Sequence, residues 1–139
     1  MKKNKEVILE RCNAICKNTL METLEIEFTD FTEDTLTAKM PVTSRVHQPD
    51  GLLHGGASVA LAESVGSAAS FVFMNAKGVN VRGIEISANH VRSIKSGFVY
   101  AKAKILHNGR TTQLWQIRIE NEKEELISMV KLTTLSFYD

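Results

Sequence analysis

His47-Gln48-Pro49-Asp50-Gly51-Leu52-Leu53-His54-Gly55-Gly56-Ala57-Ser58, running on to Glu63 and Ser67, is the stretch from which the rest of the chain can be read. It starts as a loop, since Pro49 and Gly51 are turn residues. From Ala57 to Ala76 there is no proline, and most residues are small or apolar. The pattern predicts a helix from near Gly55 to just before Lys77-Gly78, where a lysine and a glycine form a C-terminal signal. Ala57, Ala60, Leu61, Ala62, Val65, Gly66, Ala68, Ala69, Phe71, Val72, Phe73 and Met74 leave no broad polar face, which is the signature of a buried helix. Glu63 is the only charged side chain between Asp50 and Lys77. A carboxylate among apolar neighbours is costly to bury without compensation, which makes it a candidate for chemistry. The alternative is a solvated glutamate at a gap in the packing.

Working outward, 139 residues suggest one domain, 1–139, with a real core. Hydrophobic residues at 43% and charged residues at 24% describe an ordinary globular composition. A net charge of +1 gives no global field that argues for nucleic acid or a membrane as partner. Met1-Lys2-Lys3-Asn4-Lys5 is basic, but no apolar signal core follows. No run is read as long enough for a transmembrane helix, so a cytoplasmic location is expected. Cys12 and Cys16 sit four apart on a probable helix and read as two small core residues. His47, His54, His90 and His107 lack zinc-ligand spacing, so no metal is expected, and no cofactor. There is no Gly-x-Ser-x-Gly to support a serine hydrolase. Trp115, Phe71 and Phe73 read as core.

Residues Glu6 to Asn18 predict a helix with Ile8, Leu9, Cys12, Ile15 and Cys16 as its apolar stripe. Thr19 to Phe31 predicts a first strand, and Thr35 to Met40 a second, joined by the turn Thr32-Glu33-Asp34. Four more strands follow the helix. Val79 to Ile94 alternates Ile84, Ile86 and Ala88 against Glu85, Ser87 and Asn89, with a bulge or bend at Gly83. Phe98 to Leu106 and Thr112 to Glu120 flank His107-Asn108-Gly109-Arg110, whose Asn-Gly is a hairpin signal. Leu126 to Phe137 is the last strand. The order predicts an α+β fold: a curved antiparallel sheet of five to six strands wrapped round one long buried helix.

This outline resembles the hotdog-fold acyl-CoA thioesterases over roughly Val7 to Ser136. Gln48-Pro49, Gly51, His54-Gly55-Gly56, Glu63 and Ser67 carry the resemblance. The stretches Leu52 to Ser64 and Ala88-Asn89-His90-Val91-Arg92-Ser93 are similar to the group acting on 1,4-dihydroxy-2-naphthoyl-CoA in menaquinone biosynthesis. The resemblance implies hydrolysis of an aromatic acyl-CoA, with Glu63 as nucleophile or general base and the Gly55 N–H as oxyanion donor. It implies that Gln48 lies near the thioester, that His54 helps fix the loop, and that coenzyme A meets Arg82, Asn89, His90, Val91, Arg92 and the hairpin Leu106-His107-Asn108-Gly109-Arg110-Thr111. It also implies a homo-oligomer, a dimer at least and often a tetramer. Rival readings are a broad acyl-CoA hydrolase, a hotdog dehydratase or hydratase, and a non-catalytic acyl-CoA-binding module.

The residues add their own physical reasons. A helix N-terminus has unpaired N–H groups and a partial positive charge, and glycine lets a substrate come close to it. Ser67, at i+4 from Glu63, shares its helix face, whereas Ser64 points roughly 100° away. Gly55 and Glu63 are eight residues apart. On one helix that is roughly 12 Å along the axis, too far for one carbonyl to touch both. If both act on one thioester, they must come from different subunits, giving two composite sites per two-fold dimer.

Overall fold

The computed structural model describes residues 4–74 and 78–138. Lys77 of the helix stop signal and the basic Met1–Lys3 lie outside the described residues. In chain order come α1 (Lys5–Ala14), α2 (Leu20–Thr23), β1 (Glu27–Phe31), β2 (Thr35–Pro41), a 3-10 turn (Ser44–Val46) and α3 (Gly55–Met74). Then follow β3 (Val79–His90), β4 (Phe98–Asn108), β5 (Thr112–Glu120) and β6 (Leu126–Tyr138). The strands form one sheet in the order β1-β2-β4-β5-β6-β3. Every neighbouring pair is antiparallel.

Alternation places one side chain in two on the inner face of this sheet. Leu36, Ala38 and Met40 on β2, Val99, Ala101 and Ala103 on β4, Trp115, Ile117 and Ile119 on β5, and Val130 and Leu132 on β6 are all buried. Against them α3 lays Leu61, Ala62, Val65 and Ala69. Fully burying a leucine or valine stabilises by ~1.5–3 kcal/mol. That row fixes the rotation of α3, and the single carboxylate, Glu63, is left outside. Gly66 allows the approach: a Cβ there would lie 2.5 Å from Leu132 Cδ2 and 2.9 Å from Ile117 Cδ1. Deeper along α3, buried polar groups answer one another. Trp115 Nε1 donates to Ser70 Oγ at 2.6 Å, and Ser70 shares a 2.7 Å bond with Thr134.

By length and composition α3 could cross a bilayer, its mean hydropathy reaching 1.4 over eighteen residues. The expectation that no segment could do so is therefore corrected on that criterion. Its packing onto five strands, β2 to β6, is that of the core helix of a globular fold.

Local chemistry overturns several other expectations. Thr19 to Phe31 is not one strand. The Thr19 side chain caps a helical turn by accepting from Met21 N–H at 3.2 Å. Asn18 and Glu25 take positive φ of 61° and 58°, so β1 begins only at Glu27. A capping hydroxyl here outcompetes β-propensity. Helix α1 stops at Ala14, which leaves Ile15 exposed rather than on the apolar stripe. Cys12 and Cys16 are buried as expected.

The β3 bulge falls between Gly83 and Glu85, next to the glycine that signalled it. It turns Ile84 outward, 55% exposed, so Ile84 does not share the face of Ile86 and Ala88. Strand β4 runs on to Asn108, with a bulge between Ile105 and His107. Gly109 does not adopt positive φ, so Asn108-Gly109 is not a two-residue primed turn. Instead Gly109 N–H meets Thr112 O at 2.8 Å, closing a longer loop. Phe71, read as core, is 61% exposed, whereas Trp115 is fully buried and Phe73 stacks on Phe31 with ring centroids 5.3 Å apart.

Candidate active site

The loop before α3 is held by its own backbone. Gln48 N–H donates to Leu52 O at 2.7 Å, and Gly51, at φ 79°, donates back to Gln48 O at 3.0 Å. Leu53 N–H reaches Ile94 O and His54 N–H reaches Val46 O, both at 2.8 Å. His54 then caps the helix, its Nδ1 accepting from Gly56 N–H at 2.8 Å. Its oxygen accepts from Ala57 and Ser58. This is a structural task, and it leaves the first N–H of the helix, that of Gly55, with no acceptor among the described residues.

That N–H borders a cleft of about 290 Å³ lined by Gln48, Leu52, Gly55, Ser58, His90 and Arg92, among others. Gln48 Oε1 accepts from Asp50 N–H, which keeps its Nε2 donors available for a ligand. His90 comes from the last position of β3 and, though exposed, holds Nδ1 2.7 Å from buried Ser128 Oγ. Its ring packs so closely on the helix start that a Cβ at Gly55 would lie 2.8 Å from Nε2. Val91 and Arg92 both donate backbone N–H to Ile127 O, which forms part of the cleft wall. The Arg92 guanidinium is 3.3 Å from Glu125, whose carboxyl it and Asn121 hold below the usual range, the hydrogen bond from Asn121 being the larger cause.

Glu63 is elsewhere. It lies two turns along α3, and its carboxylate faces Gly83 at the β3 bulge, 3.4 Å from where a Cβ would stand. It is exposed in the single chain, the solvated alternative of the two readings its setting left open, and has no hydrogen bond or ion pair among the described residues. Ser67 is half-buried one turn further on. Ser64, by contrast, is engaged with Ala60 O at 2.7 Å. Arg82 is near in sequence but on the opposite face of the sheet, its guanidinium 5.5 Å over the Phe137 ring. The hairpin Leu106–Thr111 lies at this same end of the sheet, since Thr111 O accepts from Ser136, which pairs with Val81.

The expected site residues therefore form two groups in one chain. Gln48, Gly55, His90, Val91 and Arg92 gather at the start of α3, with His54 as its cap. Glu63, Ser67, Arg82 and the hairpin belong to the other end. Asn89 pairs with Met129 on the outer face and does not line the cleft. Sequence reasoning missed Ser58, Ser93 and Ser128 in or behind the cleft. A signal existed for two of them. Ser58 is three residues from Gly55 on the same helix, and Ser128 is a lone serine in line with Val130 and Leu132. Among the described residues no group of three or more His, Cys, Asp or Glu could hold a metal ion.

The Thioesterase superfamily model matches residues 50–128, more than half of the chain. The chain belongs to that superfamily. It is a hotdog-fold thioesterase, six antiparallel strands with a long central helix. It is 47% identical over 130 residues to the 1,4-dihydroxy-2-naphthoyl-CoA hydrolase of Escherichia coli strain K12, covering 94% of this chain and 95% of that one. It is 45% identical over 130 residues to the proofreading thioesterase EntH of Cronobacter turicensis, covering 94% of each. Among solved structures, a mutant of the thioesterase PA1618 of Pseudomonas aeruginosa superposes with a TM-score of 0.91 at 44% identity, covering 94% of each chain.

Proposed function

We propose that this thioesterase hydrolyses an acyl-CoA in a site shared by two copies of the chain. One observation carries the reading. Helix α3 is continuous from Gly55 to Met74, so the donor at its start and the acid two turns on cannot meet one carbonyl within a chain. Strand β3 supports it. It is the last strand of the sheet, pairs among the described residues only with β6, and offers twelve residues of open edge. Exposed Ile84 and Val91 lie along or just beyond that edge, and Phe71 lies on α3. An open edge with apolar side chains beside it favours pairing with another strand. Two β3 strands set antiparallel about a two-fold axis would bring the Glu63 and Arg82 end of one copy to the Gly55 and His90 end of the other. Burial of Glu63 would then come from the partner.

In that site the Gly55 N–H and Gln48 Nε2 stabilise the negative charge that grows on the thioester oxygen, aided by the positive end of α3. Glu63 has two routes. As nucleophile, a carboxylate oxygen bonds the carbonyl carbon, the C–S bond breaks, coenzyme A leaves as thiolate, and water then splits the mixed anhydride. As general base, it takes a proton from the water that attacks, and Ser67 orients that water or the carboxylate. Heavy oxygen found in Glu63 after a single turnover in heavy-oxygen water marks the anhydride route, with water attacking the Glu63 carbonyl, because the general-base route puts the label in the product acid alone. Arg82, Arg92 and Arg110 are the candidate contacts of the coenzyme A phosphates.

The substrate we favour is 1,4-dihydroxy-2-naphthoyl-CoA or a similar aromatic acyl-CoA, acting in menaquinone biosynthesis in the cytoplasm. The relative of that name supports it. A second reading, a broad hydrolase that clears mis-acylated thioesters, draws on the similarity to a proofreading thioesterase. Release of free thiol across aryl- and alkyl-CoAs tests both, with Glu63→Ala as control. One strongly preferred aryl substrate supports the first reading and a flat profile the second. Binding without thiol release would mark an acyl-CoA-binding module instead. Loss of water from a hydroxyacyl-CoA with no thiol released, unaffected by Glu63→Gln, would mark a dehydratase-type site.

A further inference from the structure

We infer that His90 supplies a second hydrogen-bond donor beside Gly55, and that the buried hydroxyl of Ser128 is the positioning residue that makes it one. Ser128 is fully buried on the inner face of β6, directly opposite His90 in the β3–β6 ladder. Its Oγ has one side-chain partner among the described residues, His90 Nδ1 at 2.7 Å. A hydroxyl has a proton to donate, and leaving it unanswered in the interior is costly. With Nδ1 its one side-chain partner among the described residues, we take Ser128 to donate to Nδ1. In the neutral ring the remaining proton is then on Nε2, because the bond made by one ring nitrogen sets the state of the other.

Nε2 is the atom turned toward the helix start. A Cβ at Gly55 would lie 2.8 Å from Nε2, 3.0 Å from Cδ2 and 3.4 Å from Cε1. The Nε2–H and the unpaired Gly55 N–H thus border the same cleft, which Ser128 itself helps to wall. A thioester oxygen drawn to Gly55 has the imidazole donor at its side, already oriented before substrate arrives. The contact also accounts for glycine at position 55, since any side chain there would push the ring from its place. The inference rests on the reading above that the thioester oxygen is held at Gly55.

Removing an oxyanion donor outright costs about a hundred- to a thousandfold in kcat, so removing only its orienting partner is expected to cost less, about tenfold. Ser128→Ala should therefore lower kcat with KM nearly unchanged, and Ser128→Thr, which keeps the hydroxyl, should restore it. In a His90→Ala background the further change Ser128→Ala should do nothing. Nitrogen NMR of labelled histidine should find the Nε2–H form of His90 in the parent protein and a mixture of tautomers in Ser128→Ala. Unchanged kcat in Ser128→Ala, or an equal loss with and without His90, would overturn the inference. Gln48→Ala is the control for the underlying reading. If it too leaves kcat intact, the oxyanion site is misplaced, whereas a loss there beside an intact Ser128→Ala sinks this inference alone.

Discussion

Replacing Gly55 with alanine should separate stability from activity. The new methyl would stand 2.8 Å from His90 Nε2, whereas ordinary contact begins at 3.4 Å, so the imidazole must retreat by roughly half an ångström. The ring is tethered by its 2.7 Å bond to Ser128, and can yield only by leaving its rotamer well or stretching that bond. An off-rotamer side chain costs about 0.5–1.5 kcal/mol. Alanine in place of glycine in a helix returns up to about 1 kcal/mol. The two nearly cancel, and Tm is expected to stay within about 4 °C of the parent. Catalysis has no such compensation. The methyl occupies the approach to the Gly55 N–H and displaces the neighbouring donor, and loss of one oxyanion contact costs about a hundred- to a thousandfold in kcat. Thermal unfolding followed by circular dichroism, with thiol release measured on the same preparation, checks both halves. An active Gly55→Ala enzyme would refute the reasoning that places the thioester oxygen at this helix start.

Gly66→Ala should do the reverse. Its methyl meets Leu132 and Ile117 at 2.5 Å and 2.9 Å in the sealed core, an overpacking that costs about 1–3 kcal/mol before roughly 1 kcal/mol of helix propensity is returned. A fall in Tm of about 3–6 °C, with kcat little changed below the transition, is the expected outcome. The two cysteines should be silent toward a thiol reagent until the protein unfolds, since both are buried. Burial, and secondarily Cys16, pushes the Cys12 thiol from 9.0 up to about 11. Between those values the folded chain keeps a proton that the unfolded chain has lost, so this group's contribution to stability falls as pH rises from 9 to 11. Urea unfolding of the parent and Cys12→Ala across that window reads the difference, which should narrow in the variant.

The parts of the fold that could be read in advance are those whose pattern repeats over many residues. The alternation through Val99, Ala101 and Ala103, and through Trp115, Ile117 and Ile119, left one inner face for β4 and β5. The small and apolar run after Gly55, with Glu63 its one charge, pointed to a core helix. What could not be read was set by one or two local bonds or by long-range register. Thr19 capping Met21 turned part of an expected strand into a helical turn. The bulge beside Gly83 was signalled, but its direction, which exposes Ile84, depends on pairing with Thr133 and Thr134. Ser128 shows its significance only once the ladder sets it opposite His90, thirty-eight residues away in sequence. Glu63 was the most informative mismatch. Its apolar neighbours argued for burial, yet in a single chain it faces outward at the sheet's open edge. The second copy we propose on that edge would account for both.

Chains carrying Glu63→Ala should therefore be mixed with chains carrying Gln48→Ala, allowed to exchange subunits, and assayed for thiol release. Each variant alone has both of its shared sites broken. In the mixed dimer one site collects both defects and the other collects none, so random exchange should restore about a quarter of the parent activity. If exchange is complete and the mixture is no more active than its two components, the acid and the oxyanion donors do not meet across subunits, and the shared site proposed for this thioesterase is wrong.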